Sequence, residues 1–194
     1  MVKTMMMAAA RDTFSSGSSG SSGTSSGVGS SAGASAPVGT TLTDSSGASR
    51  GYKVTSSDSS NPTVQYVGTS SDKKKKSVTI PSTVTDASGN TYKVTSIADG
   101  AFKNNKKLKT LKVGKNVTKI GASALSGAVN LTKITLNGNT TTSFGKNALK
   151  NAGKKAKKLT VTITAKTKKQ YNKVVKAMKK AGAKKATYKF KKGK

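Results

Sequence analysis

The chain has 194 residues and carries 36 lysine and arginine side chains against six acidic ones, a net charge of +30 at pH 7. It contains no cysteine, histidine or tryptophan, and only five tyrosines and four phenylalanines. This composition excludes disulfides and thiol chemistry, and it requires a core built from Val, Ile, Leu and Ala.

The positive charge is concentrated in the second half of the chain. Residues 1–99 carry nine basic and all six acidic side chains, 9 − 6 = +3, whereas residues 100–194 carry 27 lysines and no acid, hence +27. Such a field attracts polyanions through counterion release. Nucleic acid, anionic wall polymers, sulfated glycans and acidic lipid all fit this sign, which by itself does not choose among them.

The first fifty residues contain little to bury. Residues 1–10, "MVKTMMMAAA", predict either the remnant of a truncated signal peptide or a plain unstructured N-terminus, because a secretory signal needs an apolar core of roughly 7–15 residues. Residues 11–50 are rich in Ser and Gly, which predicts a disordered linker. No run reaches the roughly 20 apolar residues of a transmembrane helix, so no membrane span is expected.

Residues 51–96 predict a β-hairpin region. Apolar and polar residues alternate in four segments, at 52–56, 63–69, 77–84 and 91–97. Turn-forming residues separate the first segment from the second and the third from the fourth, which indicates two hairpins. Between the pairs stands a run of four lysines, residues 73–76, which we interpret as a solvated loop that discourages edge pairing.

A six-residue phrase then occurs three times, at spacings of 23 and 24 residues: Ile97 to Phe102, Ile120 to Leu125 and Phe144 to Leu149. Each copy ends in alanine plus a large apolar residue, and short strand patterns begin at Leu108, Leu131 and Leu159. One such unit is too small to bury its own apolar face, so residues 97–164 predict stacked leucine-rich coils. The alanines of the phrase are expected where the coil closes tightly.

Residues 165–194 predict a helix–strand cap with a basic tail. Thr167 and Gln170 have the spacing of a capping box. Tyr171, Val174, Val175, Met178 and Ala181 then fall on one helix face, and Gly182 fits the helix stop. The segment "ATYKF" predicts a final strand.

The segment "LKTLKVGKNVTKIGASALSG", residues 108–127, resembles the repeat of the BspA-like leucine-rich repeat family, which is common on the surfaces of gut and oral bacteria. The resemblance covers about residues 50–190 and implies an α/β repeat fold. This fold is a short leucine-rich-repeat solenoid with an N-terminal β-hairpin region and a C-terminal helix–strand cap. It also implies a secreted or cell-surface location in bacteria. Leu125 and Leu149 depart from the usual Phe, and Gly114 and Asn137 stand where Pro is common.

The sequence offers nothing for catalysis. His, Cys and Glu are absent, and the six Asp residues are irregularly spaced. No carboxylate pair, catalytic triad or metal-ligand cluster can be assembled from them. We therefore predict no enzyme, no catalytic or metal-binding residues and no cofactor.

The remaining candidate is a surface formed by outward strand positions. Successive strands stack about 4.8 Å apart, so outward residues of neighbouring coils form a ladder. The predicted binding residues are Lys109, Lys112, Lys133, Thr135, Thr160 and Thr162. The alternative interpretation is that these lysines serve only solubility.

The function indicated is a non-enzymatic surface or secreted adhesion module that binds an anionic polymer, a cell-wall glycopolymer or a host matrix protein through its lysine-rich face. One alternative is a basic protein that binds nucleic acid non-specifically, although 34 Lys to 2 Arg suits base reading poorly. Another is a structural segment of a larger surface assembly.

Overall fold

The computed structural model describes residues 34–43 and 49–193. Its elements, in chain order, are β1 (Thr41–Thr43), β2 (Ser49–Ser56), β3 (Thr63–Tyr66), β4 (Ser77–Ile80), β5 (Thr83–Thr85), β6 (Thr91–Ile97), β7 (Thr110–Val113), β8 (Lys119–Ile120), β9 (Lys133–Asn137), β10 (Ser143–Phe144), β11 (Thr160–Ala165), α1 (Lys168–Lys180) and β12 (Thr187–Lys192). The signal-peptide remnant predicted for residues 1–10 lies outside this range, as does much of the predicted linker.

Within the described ranges the strands form two sheets. The front sheet has the order β12-β11-β9-β7-β4, with every neighbouring pair parallel. The back sheet has the order β1-β2-β3-β6-β8-β10, and β5 adds to β6. From β6 to β11 the chain alternates between the two sheets, so each passage from one back strand to the next makes one coil of a solenoid.

The front sheet stacks its apolar residues in columns. Val78, Leu111, Ile134, Val161 and Tyr188 are paired in register across the five strands. All except the half-buried Tyr188 belong to the buried core. The inner side of this sheet therefore carries one continuous apolar surface, as the period-2 patterns predict.

The back sheet confirms the predicted equivalence of the repeated phrase. Ile97 pairs with Ile120, and Ile120 pairs with Phe144 in the next coil. Ile97 and Ile120 are buried and Phe144 is half-buried. The three phrases thus begin at matching positions one layer apart, which is the arrangement that a solenoid requires.

After each back strand the chain forms a turn wall, residues 98–105, 121–128 and 145–152. Its coils are joined by backbone hydrogen bonds: the Phe102 N–H donates to the Ala124 carbonyl at 2.7 Å and the Leu125 N–H to the Ala148 carbonyl at 2.8 Å. The alanines and the large apolar residues that follow them are all buried. Within the turn wall, however, the closest backbone approaches between coils are at Gly121 and Gly145, the second residue of the phrase.

The segment predicted as one strand, residues 77–84, is divided at Pro81. β4 lies before the proline and pairs with β7, while β5 lies after it and pairs antiparallel with β6. Proline has no N–H to donate to a ladder and fixes its own φ, so the chain leaves one sheet there and joins the other. The second predicted hairpin is therefore limited to β5 and β6, whereas β2 and β3 pair antiparallel.

The predicted disordered linker, residues 11–50, also needs correction at its C-terminal end. β1 pairs antiparallel with β2, which itself begins at Ser49, and Leu42 is buried. The Ala36 N–H donates to the Tyr92 hydroxyl at 2.7 Å. A single well-placed leucine and backbone pairing hold this stretch against the fold, although its composition is that of a linker.

Asp72 carries a buried carboxylate that lies next to Tyr66 of β3 in the back sheet. Asp72 accepts hydrogen bonds from the hydroxyls of Tyr66 and Thr69, each at 2.8 Å, and from the Lys75 ammonium at 2.9 Å. Burial alone would raise the pKa of Asp72, but these hydrogen bonds outweigh it and hold the pKa below its usual range. Lys73 to Lys76 are exposed, with Lys75 tied to Asp72.

Replacing Asp72 by asparagine is expected to lower the free energy of unfolding by about 1–3 kcal/mol at pH 7, because charge-assisted hydrogen bonds are lost. Since the native pKa is lowered, this stability is present above the ordinary aspartate pKa of about 3.9 and disappears as the pH falls through the native pKa. Urea unfolding at about pH 7 and pH 3 measures both effects. Asp58→Asn, in an exposed loop, is the control; a difference between the variants that does not shrink at low pH would contradict the assignment.

The C-terminal helix, α1, follows β11. Thr167 accepts a hydrogen bond from the Gln170 N–H, and the Gln170 side chain accepts one from the Thr167 N–H, which completes a capping box. Val174 and Met178 are fully buried. The Leu149 N–H donates to the Ala181 carbonyl at 2.9 Å, so the end of α1 pairs with the turn wall.

Candidate ligand-binding face

Ten outward residues of the front sheet lie in two rows that cross all five strands, and we name these two rows the front face. A third, shorter row follows on three of the strands: Asn137, Thr164 and Lys191. The first row is Ser77, Thr110, Lys133, Thr160 and Thr187, and the second is Thr79, Lys112, Thr135, Thr162 and Lys189. Their inward neighbours fill the core, so alternation directs these side chains away from it. The front face therefore consists entirely of hydroxyl and ammonium side chains.

The hydroxyls of the front face are available to a ligand. Within the described part of the chain, none of the seven Ser and Thr hydroxyls takes part in a side-chain hydrogen bond. Thr110, Thr135, Thr160, Thr162 and Thr187 are half-buried, which restricts their side chains. Threonine is also stiff at χ1, so these hydroxyls are held in place at little further entropic cost.

Threonines separate the lysines of the front face. Lys133 lies between Thr110 and Thr160 in its row, and Thr135 and Thr162 lie between Lys112 and Lys189. With strands about 4.8 Å apart, Lys112 and Lys189 stand roughly 14 Å from each other. This spacing limits repulsion between those two ammonium groups, whereas Lys112 and Lys133 are diagonal neighbours on adjacent strands. The strands of the front sheet contain no carboxylate to neutralise the lysines.

The structure brings together five of the six residues predicted from the sequence as binding residues: Lys112, Lys133, Thr135, Thr160 and Thr162. Lys109 is the exception. It lies one residue before β7 and is exposed, and its carbonyl accepts hydrogen bonds from the Thr132 N–H and hydroxyl. Lys109 is two residues before Leu111, whose side chain points inward. Strand alternation therefore does not place Lys109 among the outward residues of either row.

Sequence reasoning missed the outer members of both rows. Ser77 and Thr79 come from β4 and Thr187 and Lys189 from β12, at the two edges of the front sheet. The signal was present, because "SVTI", "TLKV", "KITL", "TVTI" and "TYKF" share one alternation of polar and apolar residues. The first and last of these segments lie outside residues 97–164, the region that the 23- and 24-residue spacing indicates as repeats, and for that reason they were not included in the predicted face.

In residues 34–43 and 49–193, no group of three or more His, Cys, Asp or Glu residues is arranged to hold a metal ion. In the same residues no helix combines the length and apolarity that crossing a bilayer requires.

Short parallel strands stacked coil on coil, with a leucine or isoleucine column inside, define a leucine-rich repeat solenoid. The family model described as the BspA type leucine rich repeat region matches residues 74–172 in six copies, just over half of the chain. The chain therefore belongs to the BspA-type leucine-rich repeat family. No match was found among curated proteins.

Two solved structures are similar to this chain. A leucine-rich repeat protein from Bacteroides capillosus has 18% sequence identity and a TM-score of 0.50, with 82% of this chain and 99% of that one covered. A leucine rich cell surface protein from Faecalibacterium prausnitzii has 21% identity and a TM-score of 0.43, with 69% of this chain covered. The present chain spans about a third of that protein, 34% of its length.

Proposed function

We propose that the protein is a non-enzymatic interaction module of a bacterial surface, and that its front face binds an anionic polymer. The observation that carries this proposal is the pair of in-register rows, in which seven hydroxyls without side-chain hydrogen bonds among the described residues stand beside three lysines. Lysines supply attraction to anionic groups, while the half-buried threonines supply hydrogen bonds that charge alone does not give. A cell-wall glycopolymer or a host matrix protein fits this chemistry.

The family supports a secreted or cell-surface location, and the repeats support a role in recognition. In this proposal the β-hairpin region, residues 51–96, and the helix–strand segment, residues 165–194, close the two ends of the repeats in residues 97–164. Terminal segments of this kind protect the apolar ends of a solenoid from water. The front face then remains the broad surface open to a partner.

Nucleic acid is the second candidate, since the +27 charge of residues 100–194 attracts any polyanion. Base recognition favours arginine and exposed aromatic residues. The front face has three lysines, no arginine and no aromatic residue among its ten members. Non-specific binding that weakens steeply with salt is therefore what we expect for DNA.

A binding screen tests the proposal with four immobilised probes: poly(glycerol phosphate), heparin, an acidic matrix glycoprotein and duplex DNA. We expect retention on one of the first three when salt is raised from about 0.15 M to about 0.5 M, because hydrogen bonds persist after charges are screened. Retention on DNA should fall steeply over the same range. Equal loss from all probes, or strongest retention on DNA, would contradict a surface-polymer site.

The double substitution Thr135→Val and Thr162→Val provides the matched variant for this screen. It removes two hydroxyls from one row at nearly constant shape and leaves the net charge unchanged. We expect binding at about 0.15 M salt to decline modestly and the salt-resistant part to decline most. An unaltered salt profile would show that the threonines do not contact the ligand.

A further inference from the structure

The turn wall has one irregular coil, and a groove lies beside it. Nine residues separate Leu149 from Leu159, whereas five separate Phe102 from Leu108 and five separate Leu125 from Leu131. The longer turn and residues 182–186, which follow α1, line an open groove of about 550 Å³. The groove lies at the N-terminal ends of β11 and β12, and none of its lining residues belongs to the front face.

Lysines surround this groove. Its lining includes Lys154, Lys157, Lys158, Lys184 and Lys185, all exposed, and no acidic residue. Every acidic residue of the chain lies at or before Asp99, in earlier coils or in the N-terminal region. The local potential is therefore positive, and a low-dielectric recess strengthens such a field.

The first coil shows how the backbone N–H groups of this turn can be paired. Asn105 is buried, and its side-chain oxygen accepts hydrogen bonds from the N–H groups of Lys107 and Leu108, both at 3.1 Å. One oxygen atom thus satisfies two neighbouring donors before the strand begins. In the second coil the Leu131 N–H instead donates to the Ala128 carbonyl at 3.2 Å.

The third coil has neither solution. Ala156 stands at the position of Asn105, three residues before the leucine, and its N–H makes the same bond to the residue three positions earlier. Alanine carries no acceptor, and the N–H groups of Lys158 and Leu159 have no hydrogen-bond partner among the described residues. Leu159 is only 5% exposed and lines the groove, so an unpaired N–H at this position favours an acceptor that enters the groove.

We propose that the groove is a binding site for a tetrahedral oxyanion, a phosphate or sulfate group, with one oxygen accepting from the Lys158 and Leu159 N–H groups. This oxygen takes the place that the Asn105 side-chain oxygen fills in the first coil. Lys154, Lys158 and Lys185 surround the remaining oxygens and supply charge. Backbone N–H groups and lysines together form a recurring kind of anion site, and the front face plays no part in it.

Amide chemical shifts of the full chain, measured in about 0.15 M chloride during titration with inorganic phosphate, sulfate or acetate, test the proposal. We expect saturable shifts centred on the Lys158 and Leu159 amides with phosphate or sulfate. The anion with the higher affinity indicates whether the natural ligand carries phosphate or sulfate groups. Ala156→Asn supplies the missing oxygen without changing charge. It should raise thermal stability and weaken oxyanion binding by about tenfold or more.

A second variant keeps the test decisive if Ala156→Asn folds poorly. The triple substitution Lys154→Gln, Lys158→Gln and Lys185→Gln leaves the backbone donors in place and should also weaken binding by about tenfold. Shifts spread evenly over many lysines, saturation by acetate alone, or undiminished binding by both variants would overturn the proposal. Lys119→Gln, at an exposed position on β8 of the back sheet, should leave the titration unchanged.

Discussion

Replacement of Phe102 by alanine is expected to lower the free energy of unfolding by about 3–5 kcal/mol, the usual cost of truncating a buried phenylalanine. Phe102 is fully buried, and its ring stacks on Tyr66 with centroids 5.2 Å apart. Tyr66 in turn donates its hydroxyl hydrogen bond to Asp72. The substitution therefore removes packing at the point where the turn wall meets the back sheet.

The conservative control at this position is Phe102→Leu, because Leu125 and Leu149 occupy the equivalent positions in the next two coils and are fully buried there. Leucine keeps most of the buried volume, so we expect a loss of about 1–1.5 kcal/mol. Urea unfolding followed by circular dichroism measures both variants. Equal losses for Leu and Ala would show that Phe102 is not a packed member of the turn-wall column.

Gly145→Ala is the second substitution with a large expected effect. A Cβ atom at Gly145 would lie 2.7 Å from the Ala122 Cα and from the Gly121 carbonyl carbon, and closer still to the Ala122 amide nitrogen. All three atoms belong to the backbone of the preceding coil, which cannot rotate away. The Gly145 N–H also donates to the Ile120 carbonyl at 2.8 Å. We expect a loss of about 2–3 kcal/mol from overpacking.

The matched control reverses the substitution in the first coil. Ala98 stands at the position equivalent to Gly145, and its N–H donates to the Tyr66 carbonyl at 2.8 Å. Ala98→Gly removes a methyl group without creating a clash, so a loss of about 0.5–1 kcal/mol is expected. Thermal unfolding of both variants gives the comparison. If Gly145→Ala is as stable as the parent chain, the coils are not stacked as closely as described.

The repeated part of the fold could be predicted from the sequence because its determinants are local. Ile97, Ile120 and Phe144 are spaced 23 and 24 residues apart, and coils of nearly equal length bring equivalent positions into register. The capping box at Thr167 likewise depends on residues within one helical turn. The rows of the front face follow from strand alternation, so Lys112, Lys133 and Thr135 could be placed before the structure was known.

The remaining features depend on contacts between distant segments. Pro81 indicates a break between β4 and β5, but it does not indicate which sheet each strand joins, since that depends on the partner strand that each one meets. Leu42 is buried because β2 lies beside it, not because of its Ser- and Gly-rich surroundings. The groove beside Leu159 arises from a length difference that is visible in the sequence, but its shape requires residues 182–186 to stack against it.

The central claim is that the front face, and not charge in general, holds an anionic partner. The decisive measurement compares the affinity of two triple variants for the polymer retained in the screen, at about 0.15 M salt. One is Lys112→Gln, Lys133→Gln and Lys189→Gln. The other is Lys103→Gln, Lys119→Gln and Lys146→Gln, which are exposed on the turn wall and back sheet. Both lower the net charge by three. We predict that the first loses roughly tenfold more affinity than the second; equal losses would contradict the claim.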